Sequence, residues 1–291
     1  MKKANILLLT LIIILSFCAC SKSSEIMSFD SSKYVKLCDY SKLEVNEEFV
    51  KVSKDDISNI IDMELSSSEA YIKVSNRKNI KESDIVLLNI NGDSEYYFVG
   101  NNDFGEEFNK LLLSSAVGDT FDCKIENDNA KVKVAAIYRF PTLDDKQFIL
   151  DFYGYDDFDA LNDFLKNRAK NEILFNYAIE EIENNSTIKA YPKEIENEIN
   201  KSFEKQKKQI EQSYSSFDEY CKQNDIDESD IMNGIKSYYG QMMIYKAVLD
   251  KEGIKIDESQ ISSQDDEYTA YFYACENKLK EILPSKVIIN K

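Results

Sequence analysis

Ile85-Val86-Leu87-Leu88-Asn89-Ile90, then Asn91-Gly92-Asp93, then Glu95-Tyr96-Tyr97-Phe98-Val99 make up one continuous pattern. An apolar run of strand length meets an Asn-Gly-Asp turn and comes back as an aromatic run, which predicts a β-hairpin. Downstream, Glu106 to Leu113 has the spacing of a short amphipathic helix. Val117-Gly118-Asp119-Thr120 then turns the chain into Phe121–Ile125 and Val132–Tyr138, two further strand patterns. Residues 82–140 thus predict a small antiparallel sheet carrying one helix.

Working upstream, Ser53-Lys54-Asp55-Asp56 is a helix start: Ser53 can cap, and Asp56 three residues on can reach back to it. Ile57, Ile60, Ile61 and Leu65 follow at helical spacing, predicting a helix over 54–68. Tyr34–Leu37 and Leu43–Val45 read as extended pieces around Asp39-Tyr40-Ser41. Beyond the sheet the pattern is helical. Phe158, Leu161, Leu165, Ala169, Ile173, Ile179 and Ile182 keep one apolar face to about residue 184. Pro192 opens a second long helix, Ser216 caps a short one from Phe217, and Asp227 begins another that Gly253 stops. A last amphipathic stretch runs from Glu267 to Leu283, before Pro284. The fold class is α+β, with about half the chain helical.

Composition removes whole classes of chemistry. The 291 residues contain no histidine, so neither an imidazole base nor a His-ligated metal is possible. With 8 glycines, no nucleotide-cradling loop motif is present. The net charge of −17 and the lack of any basic run argue against nucleic acid as a partner. The acidic runs Asp144-Asp145, Asp156-Asp157 and Asp265-Asp266-Glu267 lack calcium-loop spacing and read as caps and turns. No metal and no cofactor are expected.

The N-terminus predicts an address. Lys2-Lys3 precedes an apolar run from Ile6 to Phe17 that is too short for a comfortable membrane span. It ends in Ala19-Cys20, a small residue before a cysteine, followed by Ser21-Lys22-Ser23-Ser24. The pattern resembles a bacterial lipoprotein signal over residues 1–19, with Cys20 as the lipidated residue and 20–33 as a tether. Lipid chains would hold the protein on the extracytoplasmic face of the cell membrane. Cys38, Cys123, Cys221 and Cys275 then remain, an even number open to three disulfide pairings or to none, as buried thiols.

The order of these pieces resembles bacterial trigger factor without its ribosome-binding domain. Pro141-Thr142-Leu143-Asp144-Asp145-Lys146-Gln147-Phe148 is similar to that family's joining segment, and Asp156–Leu161 with Leu165-Lys166 to the start of its long-helix region. The run from Phe217 to Ile254 also resembles SurA- and PrsA-type extracytoplasmic chaperones. This resemblance divides the mature chain into an N-terminal extended segment and helix (34–81), a reduced FKBP-like domain (82–140) and a helical chaperone domain (141–291). It implies clients that are unfolded or nascent exported proteins, and no ribosome.

The same resemblance implies a peptidyl-prolyl isomerase pocket, of which Phe104, Phe108 and Val132 occupy matching positions. Several walls depart from the family. Ile90 stands where an aromatic residue is usual, Asn91-Gly92-Asp93-Ser94 replaces the Asp-Gly-x-x-Phe-Asp segment, and the flap is cut to Glu126-Asn127-Asp128-Asn129. A filled, inactive spacer is therefore expected, with an active isomerase as the alternative. In the helical part, Tyr214, Phe217, Tyr238, Tyr239, Met242 and Tyr245 are candidates for contacting clients, since aromatic and methionine surfaces suit promiscuous binding. A lipoprotein with one dedicated protein partner is the remaining alternative.

Overall fold

The computed structural model describes residues 27–290, apart from 69, 102, 126–127, 258–260 and 262–265. The proposed signal at 1–19 and Cys20 lie outside the described residues. Helix makes up 55% of the structure, and the sheets are small, as an α+β fold requires.

The chain forms two compact units, one joining the N-terminal segment up to residue 51 to residues 170 onward, the other made of 52–169. The division differs from the boundaries at 81/82 and 140/141 suggested by the sequence, because the N-terminal segment packs into the helical core. Met27 is 2% exposed and the Ser31 hydroxyl donates to Asp250 at 2.6 Å, so the described residues of the expected tether are part of the folded unit. Strands β1 (Val35–Lys36) and β2 (Glu44–Asn46) follow.

In the middle unit, α1 (Lys54–Ser67) starts as the Ser53–Asp56 spacing predicts, with a reciprocal capping box at 2.8 and 3.1 Å. A five-stranded antiparallel sheet follows, made of β3 (Ile72–Lys73), β4 (Ile85–Ile90), β5 (Asp93–Phe98), β6 (Thr120–Ile125) and β7 (Asp128–Arg139). Helix α2 (Glu106–Leu113) leaves the chain between β5 and β6. The hairpin between β4 and β5 closes through Asn91 and Gly92, both at positive φ (53° and 111°), which is why Asn-Gly occupies this turn. Strand β7 is the spine. It pairs along its length with β4 on one edge, and with β6 and then β3 on the other. Between Leu87 and Leu88 the register slips by one residue, leaving Ala135 as a bulge.

The joining segment Pro141–Phe148 ends inside a helix, α3 (Lys146–Tyr153). Asp145 precedes it and accepts two bonds from the Arg139 guanidinium, at 2.6 and 2.7 Å, and one from the Thr142 amide. These donors hold its carboxyl well below the usual range. Ile149 and Leu150 of α3 join Ile57, Ile61 and Leu65 of α1 and Leu161 and Leu165 from the start of α4 (Phe158–Asn185) in a small apolar core.

The helical unit consists of the later residues of α4, then β8 (Thr187–Ile188), α5 (Lys193–Ser213), α6 (Phe217–Asn224), α7 (Glu228–Lys251), α8 (Glu267–Ile282) and β9 (Ile288–Asn290). Capping explains the starts: Ser216 accepts from the Glu219 amide, and Asp227 with Asp230 forms a second capping box. Two short ladders tie the N-terminal segment to these helices. Strand β1 pairs antiparallel with β8, and β2 pairs parallel with β9. Tyr40 is buried and its hydroxyl donates to Glu252, which also pairs with Lys286. The cysteines Cys38, Cys123, Cys221 and Cys275 are free thiols. No helix among the described residues is long and apolar enough to cross a membrane.

Met27, Val35, Tyr40, Leu43, Val45 and Val50 all belong to the core of the helical unit. At about 1.5–3 kcal/mol per buried large side chain, their removal costs as much as a typical domain's whole stability of about 5–15 kcal/mol. A fragment of residues 141–291 should therefore lose its cooperative helical melt, and a copy carrying 27–51 on a flexible linker should regain it. Circular dichroism on the two fragments checks this, and a bare fragment melting like the full chain would refute it.

Candidate functional site

The inner face of the sheet holds the expected pocket residues, and they are together. Phe108 and Val132 are buried in the core between sheet and α2, and Phe104 packs against it. The pocket is filled by its own rings. Tyr97 stacks on Phe104 with centroids 5.1 Å apart, and Phe108 meets Tyr97, Phe104 and Phe121 edge-on or tilted. A polar clasp fixes this packing. The Tyr97 hydroxyl has two acceptors in reach for its one proton, the Asn101 carbonyl and the Asn109 side-chain oxygen, and the Asn109 side-chain amide donates to that same carbonyl. Two surface hollows lie elsewhere, one partly lined by Asn91, Asp122, Lys124, Asn129 and Lys131, the other by Asp218, Glu219, Lys222 and Gln223. Neither reaches Phe104, Phe108 or Val132.

The client-contact candidates of the helical unit need correction. Phe217, Tyr239, Met242 and Tyr245 are buried, and Tyr214 and Tyr238 are half-buried. Phe217 meets Phe203 edge-on, Tyr239 hydrogen-bonds Ser202 at 3.0 Å, and Tyr245 stacks on Phe272 at 4.9 Å. Tyr238 bonds Thr269 at 3.1 Å and Tyr214 packs on Tyr220. Burial pushes the Tyr245 phenol up, with Glu183 adding to it, and burial raises the Glu183 carboxyl. Helix α7 is apolar on several sides because α5, α8 and the N-terminal segment all cover it. A one-sided helical pattern therefore understates how many neighbours it has.

A group of exposed rings in mutual contact lies instead on the outer face of the sheet, while Phe49, Met63, Phe164 and Tyr273 are exposed elsewhere. Strand alternation puts Tyr97 inward and Tyr96 and Phe98 outward. The register then lays out rows across this face. Phe98, Ile85, Tyr138 and Lys73 form the first, and Tyr96, Leu87 and Ala136 the second. Ser94, Asn89, Lys133 and Thr120 form the third, followed by Lys131 beside Asp122 and by Asn129 beside Lys124. Ile85 is fully buried under the first row, whereas Tyr96, Phe98 and Phe140 remain 43%, 37% and 39% exposed. Tyr71 meets Tyr96, Phe98 and Phe140 edge-on, so five rings form one patch with Tyr138.

Sequence reading missed this face, although a signal existed. Tyr96–Val99 and Ile85–Leu88 are apolar at consecutive positions rather than alternate ones, the mark of a strand that presents apolar side chains on both faces. The lysines were hidden by the same alternation, since Lys131 and Lys133 flank the inward Val132 and never form a basic run. Of the acidic runs, Asp145 and Asp157 are turn and cap groups, the latter accepting from the Ala160 amide, and Asp266 caps α8.

No family model matches the chain. It is similar to a trigger factor from Finegoldia magna, 25% identical over 266 residues that cover 80% of this chain and 59% of that protein. The chain thus spans less than two thirds of that relative. A solved structure titled for promiscuous substrate recognition in folding and assembly by the trigger factor chaperone aligns with 86% of this chain and 72% of its own. The identity there is 15% and the TM-score 0.39.

The buried placement of Met242 makes a direct forecast. Met242→Ala should destabilise the helical unit by about 2–5 kcal/mol, seen as an earlier denaturation midpoint. An unchanged midpoint with altered peptide binding would return Met242 to the surface role first expected.

Proposed function

We propose that the protein is an ATP-independent folding factor that binds unfolded segments of exported polypeptides through exposed apolar surface. The reading rests on one observation above others, the similarity to trigger factor along four fifths of the chain. The exposed rings Tyr96, Phe98 and Phe140 supply the surface that such binding needs.

The energetics suit a carrier that must release its client unaided. Covering about 300 Å² of apolar surface gains roughly 7.5 kcal/mol at ~25 cal/mol per Å². Association itself costs about 4–15 kcal/mol, so a single patch holds a segment weakly and exchanges it readily. The net charge of −17 keeps the carrier and its bound client dispersed. Isomerase catalysis is not part of the proposal, because Phe104, Phe108 and Val132 pack into the unit's own core and offer no open wall to a prolyl ring.

The location belongs to the same proposal. Cys20 behind Ala19 and the apolar run from Ile6 to Phe17 support a lipid anchor on the extracytoplasmic side.

The full chain without nucleotide should suppress aggregation of an unfolded protein at near-stoichiometric ratios while leaving prolyl isomerisation near its uncatalysed rate. Unaltered client aggregation at several-fold excess would defeat the reading in favour of a lipoprotein with one dedicated partner. For the anchor, Cys20→Ser should abolish acyl labelling and release the chain from membranes, and labelling that survives the substitution rules Cys20 out.

A further inference from the structure

The outer sheet face combines two properties found side by side, exposed aromatic rings and lysines in three successive rows (Lys133, Lys131, Lys124), in a chain whose net charge is −17. Lys133 sits one strand over from Asn89 and in the row next to Tyr96 and Leu87. Neighbouring rows on one face are about 7 Å apart and neighbouring strands about 4.8 Å. An extended peptide of four to six residues, about 13–20 Å long, thus reaches from the rings to Lys133 and Lys131. Lys124 extends the positive end, and Asp122 beside Lys131 is the acidic group in these rows.

We propose that this face selects extended polypeptide segments in which large apolar side chains alternate with or adjoin acidic ones. The inference rests on the reading that the protein binds unfolded polypeptide, and it names the site and the chemistry preferred there. Two observations favour a peptide over an anionic lipid surface. The rings pack against one another, edge-on around Tyr71 and stacked between Phe98 and Phe140, and are less than half exposed, so none projects as a wedge able to enter a bilayer. The net charge of −17 also opposes approach to an anionic membrane, whereas a short acidic segment meets only the local lysines within a screening length of about 8 Å. The client preference that results is opposite to the one the overall charge suggests. Acidic segments are repelled by the net charge and attracted by the lysines of this face, which gives the face selectivity as well as affinity.

The test uses the full chain and two short fluorescent peptides, one alternating Phe with Glu and one alternating Phe with Lys, beside phosphatidylglycerol vesicles. The Phe-Glu peptide should bind the wild type more tightly. Lys131→Glu with Lys133→Glu, both exposed positions, should weaken it by about tenfold or more and invert the preference. Tyr96→Ser with Phe98→Ser should weaken both peptides. If the wild type suppresses client aggregation but binds the two peptides equally, or the charge-reversed variant keeps the original preference, the site is wrong and the folding-factor reading stands. A wild type that leaves aggregation unaltered defeats both. Vesicle binding lost on charge reversal, with neither peptide bound, makes the face a membrane contact and overturns the proposal.

Discussion

Burial of the N-terminal segment among helices encoded far downstream is the constraint on which the helical unit depends. Val35, Tyr40, Leu43 and Val45 share one core with Phe175 and Ile179 of α4, Ile199 of α5 and Met243 of α7. Helix α7 buries residues on more than one side, so without the segment it would expose apolar surface that α5 and α8 do not cover. The ladders of β1 with β8 and β2 with β9 satisfy the segment's backbone groups where it crosses the bundle. The chain must then leave this unit after residue 51 and rejoin it at about residue 170, and the sheet-bearing unit is what it builds in between.

That inserted unit is organised by β7. A strand of this length with partners on both edges cannot be slid by one residue without turning Val132 and Val134 outward and Lys131 and Lys133 inward. The bulge at Ala135 shows how the register is kept: it absorbs one residue, so that Ala136 lies outside against Leu87 while Ile137 remains in the core. The inner face is spent on packing Tyr97, Phe104 and Phe108. The outer face is left two-natured, aromatic where β4, β5 and the end of β7 meet and basic where β6 and β7 meet. A packed inside and an exposed aromatic and basic outside are thus consequences of one alternating pattern.

Local chemistry was legible in the sequence and long-range chemistry was not. Asn91-Gly92 specified its turn because few residues tolerate positive φ, and Ser53 and Ser216 announced their helices because a capping side chain needs only its own next turn. Strands β1 and β2 fall in the two stretches that read as extended, but β8 and β9 carry no period at all, and the distant partners of all four lie beyond any local pattern. The same holds for Met27, whose burial in the helical core no local pattern could announce, and for α3, whose first residues to Phe148 read as the end of a link and whose Ile149, Phe152 and Tyr153 match no motif. Tyr239, Met242 and Tyr245 looked available because a sequence shows that a helix has an apolar face but not how many neighbours will claim it. For the candidate site, the residue types were visible in Tyr96, Phe98 and Lys133. Their meeting on one surface needed the register.

The parallel pair formed by Glu44–Asn46 and Ile288–Asn290 has a consequence in time. During synthesis the first of these strands is made long before the second, and its edge stays unmatched until residue 290 has appeared. The inserted unit, whose contacts lie within 52–169, can assemble while that wait continues, whereas the helical unit must keep an early segment and a late one from pairing with anything else. The order of birth therefore sets the order of completion: the unit begun second finishes first, and the unit begun first is closed by nearly the last residues described.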